Sequence, residues 1–137
     1  MILTTRQTFD VMIAAGFPEN VAIQMTAIAM RESHGDTEAF NGNRATGDRS
    51  YGLLQINMLC PQVQALLTRD IPAVAADEKA LFDPAVNAHA GFLMWGGHAN
   101  NLNIAWYINH GGLYQSRYEA NLPAAIAASL ETPAVAA

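Results

Sequence analysis

Apolar side chains recur at helical spacing along most of the chain. Within residues 6–15, Phe9, Met12 and Ile13 fall on one side, and Gly16 supplies a stop. Pro18, where a first helical turn tolerates proline, and Glu19, at the positive end of a helix dipole, open a second helix predicted to run to about Ser33. The periodicity then lapses. From Gly35 to Asn57, three glycines (Gly42, Gly47, Gly52) with Asn41, Asn43 and Asp48 supply turn chemistry and predict a loop or a small β-hairpin. Helical spacing resumes in a short segment over residues 61–67. Asp83 as N-cap and Pro84 in the first turn then open a helix through Asn87, Gly91 and Trp95 to Gly96 and Gly97. Residues 101–109 read as a further helix closed by Gly111 and Gly112. Residues 114–130 read as one or two helices broken near Pro123, with a frayed end over 132–137. No repeat interrupts the pattern, and the composition shifts only in the alanine-rich tail. The expectation is one domain over residues 1–137, mainly α, a helical bundle with a small β lobe.

The second helix carries the most informative spacing. Val21, Met25, Ile28 and Glu32 stand at offsets of 0, 4, 7 and 11 residues, which places all four on one helical face. Glu32 therefore continues an apolar stripe, and it does so in the last turn, where the helix dipole presents partial negative charge. Both surroundings disfavour the ionised carboxyl. A carboxyl kept protonated near neutral pH is what a general acid requires. The competing reading has Glu32 reaching solvent or pairing with Arg31.

Composition narrows the classes. The 137 residues are 51% hydrophobic, with 12 acidic and 7 basic side chains for a net charge of −5. The basic residues are scattered singly, so there is no concentrated cationic face for nucleic acid. No stretch approaches the roughly 20 apolar residues of a membrane span, and the first ten residues lack the basic and apolar regions of a signal peptide. The lone Cys60, in an apolar run before Pro61, reads as a buried structural thiol rather than a nucleophile. His34, His89, His98 and His110 show no paired ligand spacing, so no metal and no cofactor is expected.

Four segments in order carry a resemblance. They are Glu32-Ser33 at the helix end; Gly52-Leu53-Leu54-Gln55-Ile56-Asn57; Asp83-Pro84-Ala85-Val86-Asn87; and Ala105-Trp106-Tyr107 with Gly111-Gly112-Leu113-Tyr114. Together they resemble the lysozyme superfamily, in its soluble lytic transglycosylase and phage muramidase branches, over about residues 20–120. The resemblance implies an α+β lysozyme-like fold, a catalytic glutamate at Glu32, a Gly-Leu-x-Gln segment lining a glycan cleft, and an Asn87 helix packed behind the glutamate. It implies cleavage of the β-1,4 bond between N-acetylmuramic acid and N-acetylglucosamine in peptidoglycan. The residue chemistry agrees. Gly52 would let backbone approach a sugar ring. Gln55 and Asn57 offer uncharged donors and acceptors for hydroxyls or N-acetyl groups, or else tie down their own loop. Ser50, Tyr51, Trp106, Tyr107 and Tyr114 complete the expected substrate contacts, whereas Trp95 is assigned to the core.

Glycoside hydrolysis ordinarily needs a second carboxylate, roughly 5 to 9.5 Å from the acid. Animal-type lysozymes carry an acidic residue directly before the Tyr-Gly of the similar segment, and this chain has Ser50 there. Lytic transglycosylases use one glutamate, which protonates the glycosidic oxygen and then assists attack of the muramyl C6 hydroxyl on C1. That chemistry is the expectation for Glu32, with hydrolysis using Asp48 as the alternative and a non-catalytic glycan-binding component as the rival class. The segment's wording and the expected lack of a leader point to a phage virion-associated lysin or an endolysin acting on the bacterial wall. Its expected partners are glycan strands and phage tail or other virion proteins.

Overall fold

A computed structural model describes residues 1–96 and 118–132. Helix α1, Thr5–Ala15, starts at a reciprocal cap: the Thr4 hydroxyl accepts from Gln7 N at 3.1 Å while Thr4 N donates to the Gln7 side chain at 2.9 Å. It ends at Gly16, whose φ of 107° is open to glycine. Thr8, Phe9 and Met12 form its buried side. Ile13 does not share it: it is 41% exposed, because Thr8 and Met12 draw the centre of the buried side to the other flank of Phe9, about 90° from position 13.

Helix α2, Glu19–Ser33, lies at the centre, with α1 and the C-terminal helix packed on it. The stripe read from its sequence is its core face, Val21 being 1% exposed and Met25 and Ile28 fully buried. Small Ala22, Ala27 and Ala29, all fully buried, let the neighbouring helices approach.

The polar stretch after α2 folds into a three-stranded antiparallel sheet of two-residue strands, β1 (Phe40–Asn41), β2 (Ser50–Tyr51) and β3 (Ile56–Asn57), in the order β1-β2-β3. Phe40 stands opposite Tyr51 and Tyr51 opposite Ile56, while Asn41 pairs with Ser50 and Ser50 with Asn57. A single 3₁₀ turn, Arg44–Thr46, caps the β1–β2 connection.

Helix α3, Pro61–Asp70, runs three residues past the predicted segment, and a short α4, Pro72–Ala76, follows it. Five residues carry too little periodicity to announce themselves. Cys60 is the residue before α3 and is half-buried rather than buried, its thiol 3.3 Å from Gln62 Oε1. Pro61 begins the helix there, which leaves Cys60 at the rim of the core. After a 3₁₀ segment, Glu78–Phe82, helix α5 (Pro84–Trp95) begins at Asp83, which caps Ala85 N at 2.9 Å, and ends at Gly96. Trp95 is 5% exposed, in an aromatic cluster with Phe17 and Phe92.

The final described helix, α6 (Leu122–Ser129), has Pro123 in its first turn. Proline here starts a helix rather than breaking one, because its missing N–H falls where no intrahelical bond is due. Arg6 joins the two ends of the described chain: its guanidinium donates to Ala128 O at 3.0 Å and to Glu131 O, and it pairs with Asp10 at 3.0 Å. The mainly helical body with its small antiparallel lobe is the fold class expected from the sequence. The predicted helix at residues 101–109 lies outside the described residues, as does nearly all of the tail.

Candidate active site

The last turn of α2 is closed by its own sequence. Ser33 is buried and its hydroxyl donates back to Ala29 O at 3.0 Å. His34 (φ 54°) and Gly35 (φ 81°) turn the chain through the left-handed region. Gly35 is obligatory, since a Cβ there would lie 2.4 Å from Leu3 O, and its own carbonyl accepts from Leu3 N at 2.8 Å. The helix end that bears Glu32 is thus bound to the first residues of the chain and cannot fray independently.

Glu32 is half-buried, and among the described residues its carboxyl has neither a hydrogen bond nor an ion pair. Burial holds its pKa above the ordinary carboxylate value; the charge of Arg31 opposes this and the charge of Asp48 adds to it. Arg31 therefore acts at a distance and does not form the salt bridge that would have made Glu32 an ordinary surface residue.

The influence of Asp48 shows that the β1–β2 turn brings a second carboxylate into electrostatic range of the first. Asp48 is itself fixed: its backbone N donates to Asn43 O at 3.0 Å, and the Thr46 hydroxyl donates to its Oδ2 at 2.5 Å. Asp48, 16 positions after Glu32 in the chain, thus acts on Glu32 through its charge.

The remaining predicted contacts are largely engaged in building the lobe. Ser50 is 4% exposed, closed in between Asn41 and Asn57 of the neighbouring strands. Tyr51 packs its ring against Phe40 and Phe82, and its hydroxyl donates to Glu78 Oε1 at 2.6 Å. Burial, with the Glu78 contact, pushes that phenol up to about 12. Glu78 also accepts from Arg49 Nη2 at 3.0 Å; a second contact, 2.7 Å from Arg49 Nε to Oε1, lies off the hydrogen-bond direction and is ionic only. Tyr51 is accordingly a strut between the sheet and the 3₁₀ segment instead of a free sugar platform.

Gly52 is required by the protein's own packing. At φ 70°, its missing Cβ would stand 2.5 Å from Leu81 O and 2.7 Å from Asn87 Nδ2. The close approach expected of a sugar is made here by α5 and the chain leading into it. Asn87, fully buried, explains why: it donates to Tyr51 O at 2.9 Å and Leu81 O at 2.8 Å, and accepts from Leu54 N at 2.9 Å. It satisfies the backbone of the β2–β3 turn from behind. Gln55 (φ 50°) donates through Nε2 to Ala39 O and Gly52 O, both at 3.0 Å, which fastens its own loop and leaves Oε1 without a partner among the described residues. Asn57 uses both ends of its carboxamide: Nδ2 donates to Gly47 O at 2.8 Å, and Oδ1 accepts from Arg49 N at 3.1 Å and Leu59 N at 3.0 Å. Trp106, Tyr107 and Tyr114 lie outside the described residues.

Sequence reasoning missed Glu78 and Thr46. Thr46 stands two residues from Asp48 in a turn, which is a local signal; Glu78 stands 27 residues from Tyr51 and nothing local marks the pair. Among the described residues, no group of three or more His, Cys, Asp or Glu side chains could hold a metal ion, and no helix is long and apolar enough to cross a membrane.

Glu32 is thus a half-buried carboxyl at a helix terminus with no hydrogen bond or ion pair among the described residues, under the influence of the Asp48 charge from the β1–β2 turn. The sequence matches the family model described as the lysozyme-like domain over residues 9–106, and the chain belongs to that family. No curated protein and no solved structure matches it. Membership implies glycosidase or transglycosylase activity on peptidoglycan in general terms.

Proposed function

We propose that the protein cleaves the β-1,4 bond between N-acetylmuramic acid and N-acetylglucosamine in peptidoglycan as a lytic transglycosylase, with Glu32 as its catalytic acid and base. The observation that carries this reading is the Glu32 carboxyl itself, desolvated, without a hydrogen bond or ion pair among the described residues, and held above the ordinary carboxylate value. Protonated Glu32 gives its proton to the glycosidic oxygen as the C1–O bond breaks, releasing the sugar on the leaving side. The resulting carboxylate then takes the proton of the muramyl C6 hydroxyl as that oxygen bonds to C1, closing a 1,6-anhydro ring and returning the acid. No water is consumed and one carboxyl suffices. Ser50, buried and uncharged where animal-type lysozymes carry an acid, supports the one-carboxylate course.

A second reading is hydrolysis, favoured by the charge of Asp48 acting on Glu32; Asp48 would then direct a water to C1. Weighing the muropeptides released from defined peptidoglycan separates the two: products lighter by one water support transglycosylation, and reducing ends support hydrolysis. Cleavage that survives in Glu32→Gln overturns both. For the setting we propose a phage particle or endolysin. A protein of net charge −5 gains no attraction from an anionic wall, which favours delivery by attachment to other virion proteins.

A further inference from the structure

The basic side chains of the described residues fall into two groups. Arg6 pairs with Asp10 at 3.0 Å, Arg49 with Glu78 at 2.7 Å and Arg69 with Asp70 at 2.7 Å. The side chains of Arg31, Arg44 and Lys79 have neither an ion pair nor a hydrogen bond among the described residues. Arg44 and Lys79 are exposed to water, whereas Arg31 is half-buried. A guanidinium carries only donors, and one drawn into the protein surface ordinarily meets an acceptor there. Arg31 has no such acceptor among the described residues.

Its position gives those donors a use. Arg31 stands in the last turn of α2, directly before Glu32. The two chain neighbours of Glu32 lie about 100° to either side of it around the helix. On one side, Ser33 is buried and bonded back to Ala29 O, and beyond it Met30 meets the Thr8 hydroxyl of α1 at 3.9 Å. The side that Arg31 occupies is the more open one. Its charge also acts on the Glu32 carboxyl more strongly than that of Asp48 does. A substrate that reaches Glu32 across this flank of α2 meets the guanidinium.

The muramyl sugar differs from N-acetylglucosamine by a lactyl ether, whose carboxyl is either free or amide-linked to a peptide with carboxylates of its own. A protein of net charge −5 draws no anion by its overall field, so such a carboxylate has to be met locally. We propose that Arg31 is a specificity-determining residue, whose guanidinium binds a carboxylate carried by the muramyl unit beside the bond that Glu32 cleaves. The inference rests on the reading of the protein as a peptidoglycan glycosidase. A planar fork of donors matches a carboxylate, and the substrate then supplies the acceptor that the described residues do not. A cation in the last turn also complements the helix dipole, and the test separates that role from ligand binding.

The test is an NMR binding titration of the full chain carrying Glu32→Gln, in which the substrate is not consumed. Three probes are compared: N-acetylglucosamine, which has no carboxylate; N-acetylmuramic acid, whose lactyl carboxylate is free; and N-acetylmuramyl-L-alanyl-D-isoglutamine, whose lactyl carboxyl is blocked and whose carboxylate lies on the peptide. At least one anionic probe is expected to bind roughly tenfold more tightly than N-acetylglucosamine, and which one does so identifies the lactyl or the peptide carboxylate as the group bound. Adding Arg31→Gln should erase that preference without weakening N-acetylglucosamine, and Arg31→Lys should restore part of it. Equal affinity for the three probes, or no binding of any, overturns the inference. A preference that persists in Arg31→Gln, with only a lower unfolding temperature, overturns it as well and leaves Arg31 a complement to the helix dipole. Wild-type protein that fails to cleave peptidoglycan defeats the glycosidase reading, whatever the titrations give.

Discussion

Glu32 stands at the end of a helix whose Val21, Met25 and Ile28 are 1% exposed or less, whereas Asp48 stands in a turn in which residues 41–47 are all exposed. The first region is held by apolar burial, which is non-directional and places a whole helix at once. The second is held by individual polar contacts, from Asn57 and Thr46 and between Arg49 and Glu78, each directional. The difference bears on chemistry. A greasy helix end raises the proton affinity of a carboxyl by withholding water, while a polar turn places a charge without burying it. An acid and a stabilising charge need opposite surroundings, and on the proposed reading Glu32 and Asp48 have them.

The largest expected effect lies on the helical side. Glu32→Gln keeps the shape and removes the proton, so wall cleavage should fall by roughly 10² to 10⁴-fold, with an unchanged circular dichroism spectrum as the control. Met25→Ala empties a fully buried site and should cost about 2 to 5 kcal/mol in denaturant unfolding. Among the lobe's polar contacts, Asn87→Ala is the severe case: it strands Leu54 N, Tyr51 O and Leu81 O in the interior, and a loss of about 2 to 4 kcal/mol is expected by the same measurement. Thr46→Val, in an exposed turn, should change stability by less than about 0.5 kcal/mol. A large loss there would break the contrast between the two regions.

The subtlest effect concerns pH. Because Glu32 holds its proton more firmly folded than unfolded, its protonated form favours the folded state at acid pH, and that contribution is lost as pH rises through its folded-state titration. Glu32→Gln has no charge to bury. It should therefore unfold at a higher temperature than wild type above that titration, with the difference closing in acid. An unfolding-temperature gap that is constant across pH would remove burial as the cause of the shift.

The glutamate at the end of an apolar stripe, the helix at Asp83-Pro84 and the polar hairpin region were legible locally, because spacing on one helix and turn chemistry over a few residues depend on neighbours in the chain. The position of Pro123 was legible as a boundary but not as a start, since a proline signals both and only the following turn decides. Gly52, Tyr51 and Asn57 looked like parts of a sugar surface because glycine, phenol and amide suit both a ligand and a loop.

By itself, the sequence determined that this is a mainly helical lysozyme-like domain with one carboxyl at the end of an apolar helix face, since amphipathic period and capping chemistry act within a helix turn. Tertiary structure alone decided that Leu81 and Asn87 crowd Gly52, that Glu78 engages Tyr51 and Arg49, and that Asp48 comes within electrostatic range of Glu32. Those outcomes depend on distances between residues far apart in the chain, which packing sets and local pattern does not encode.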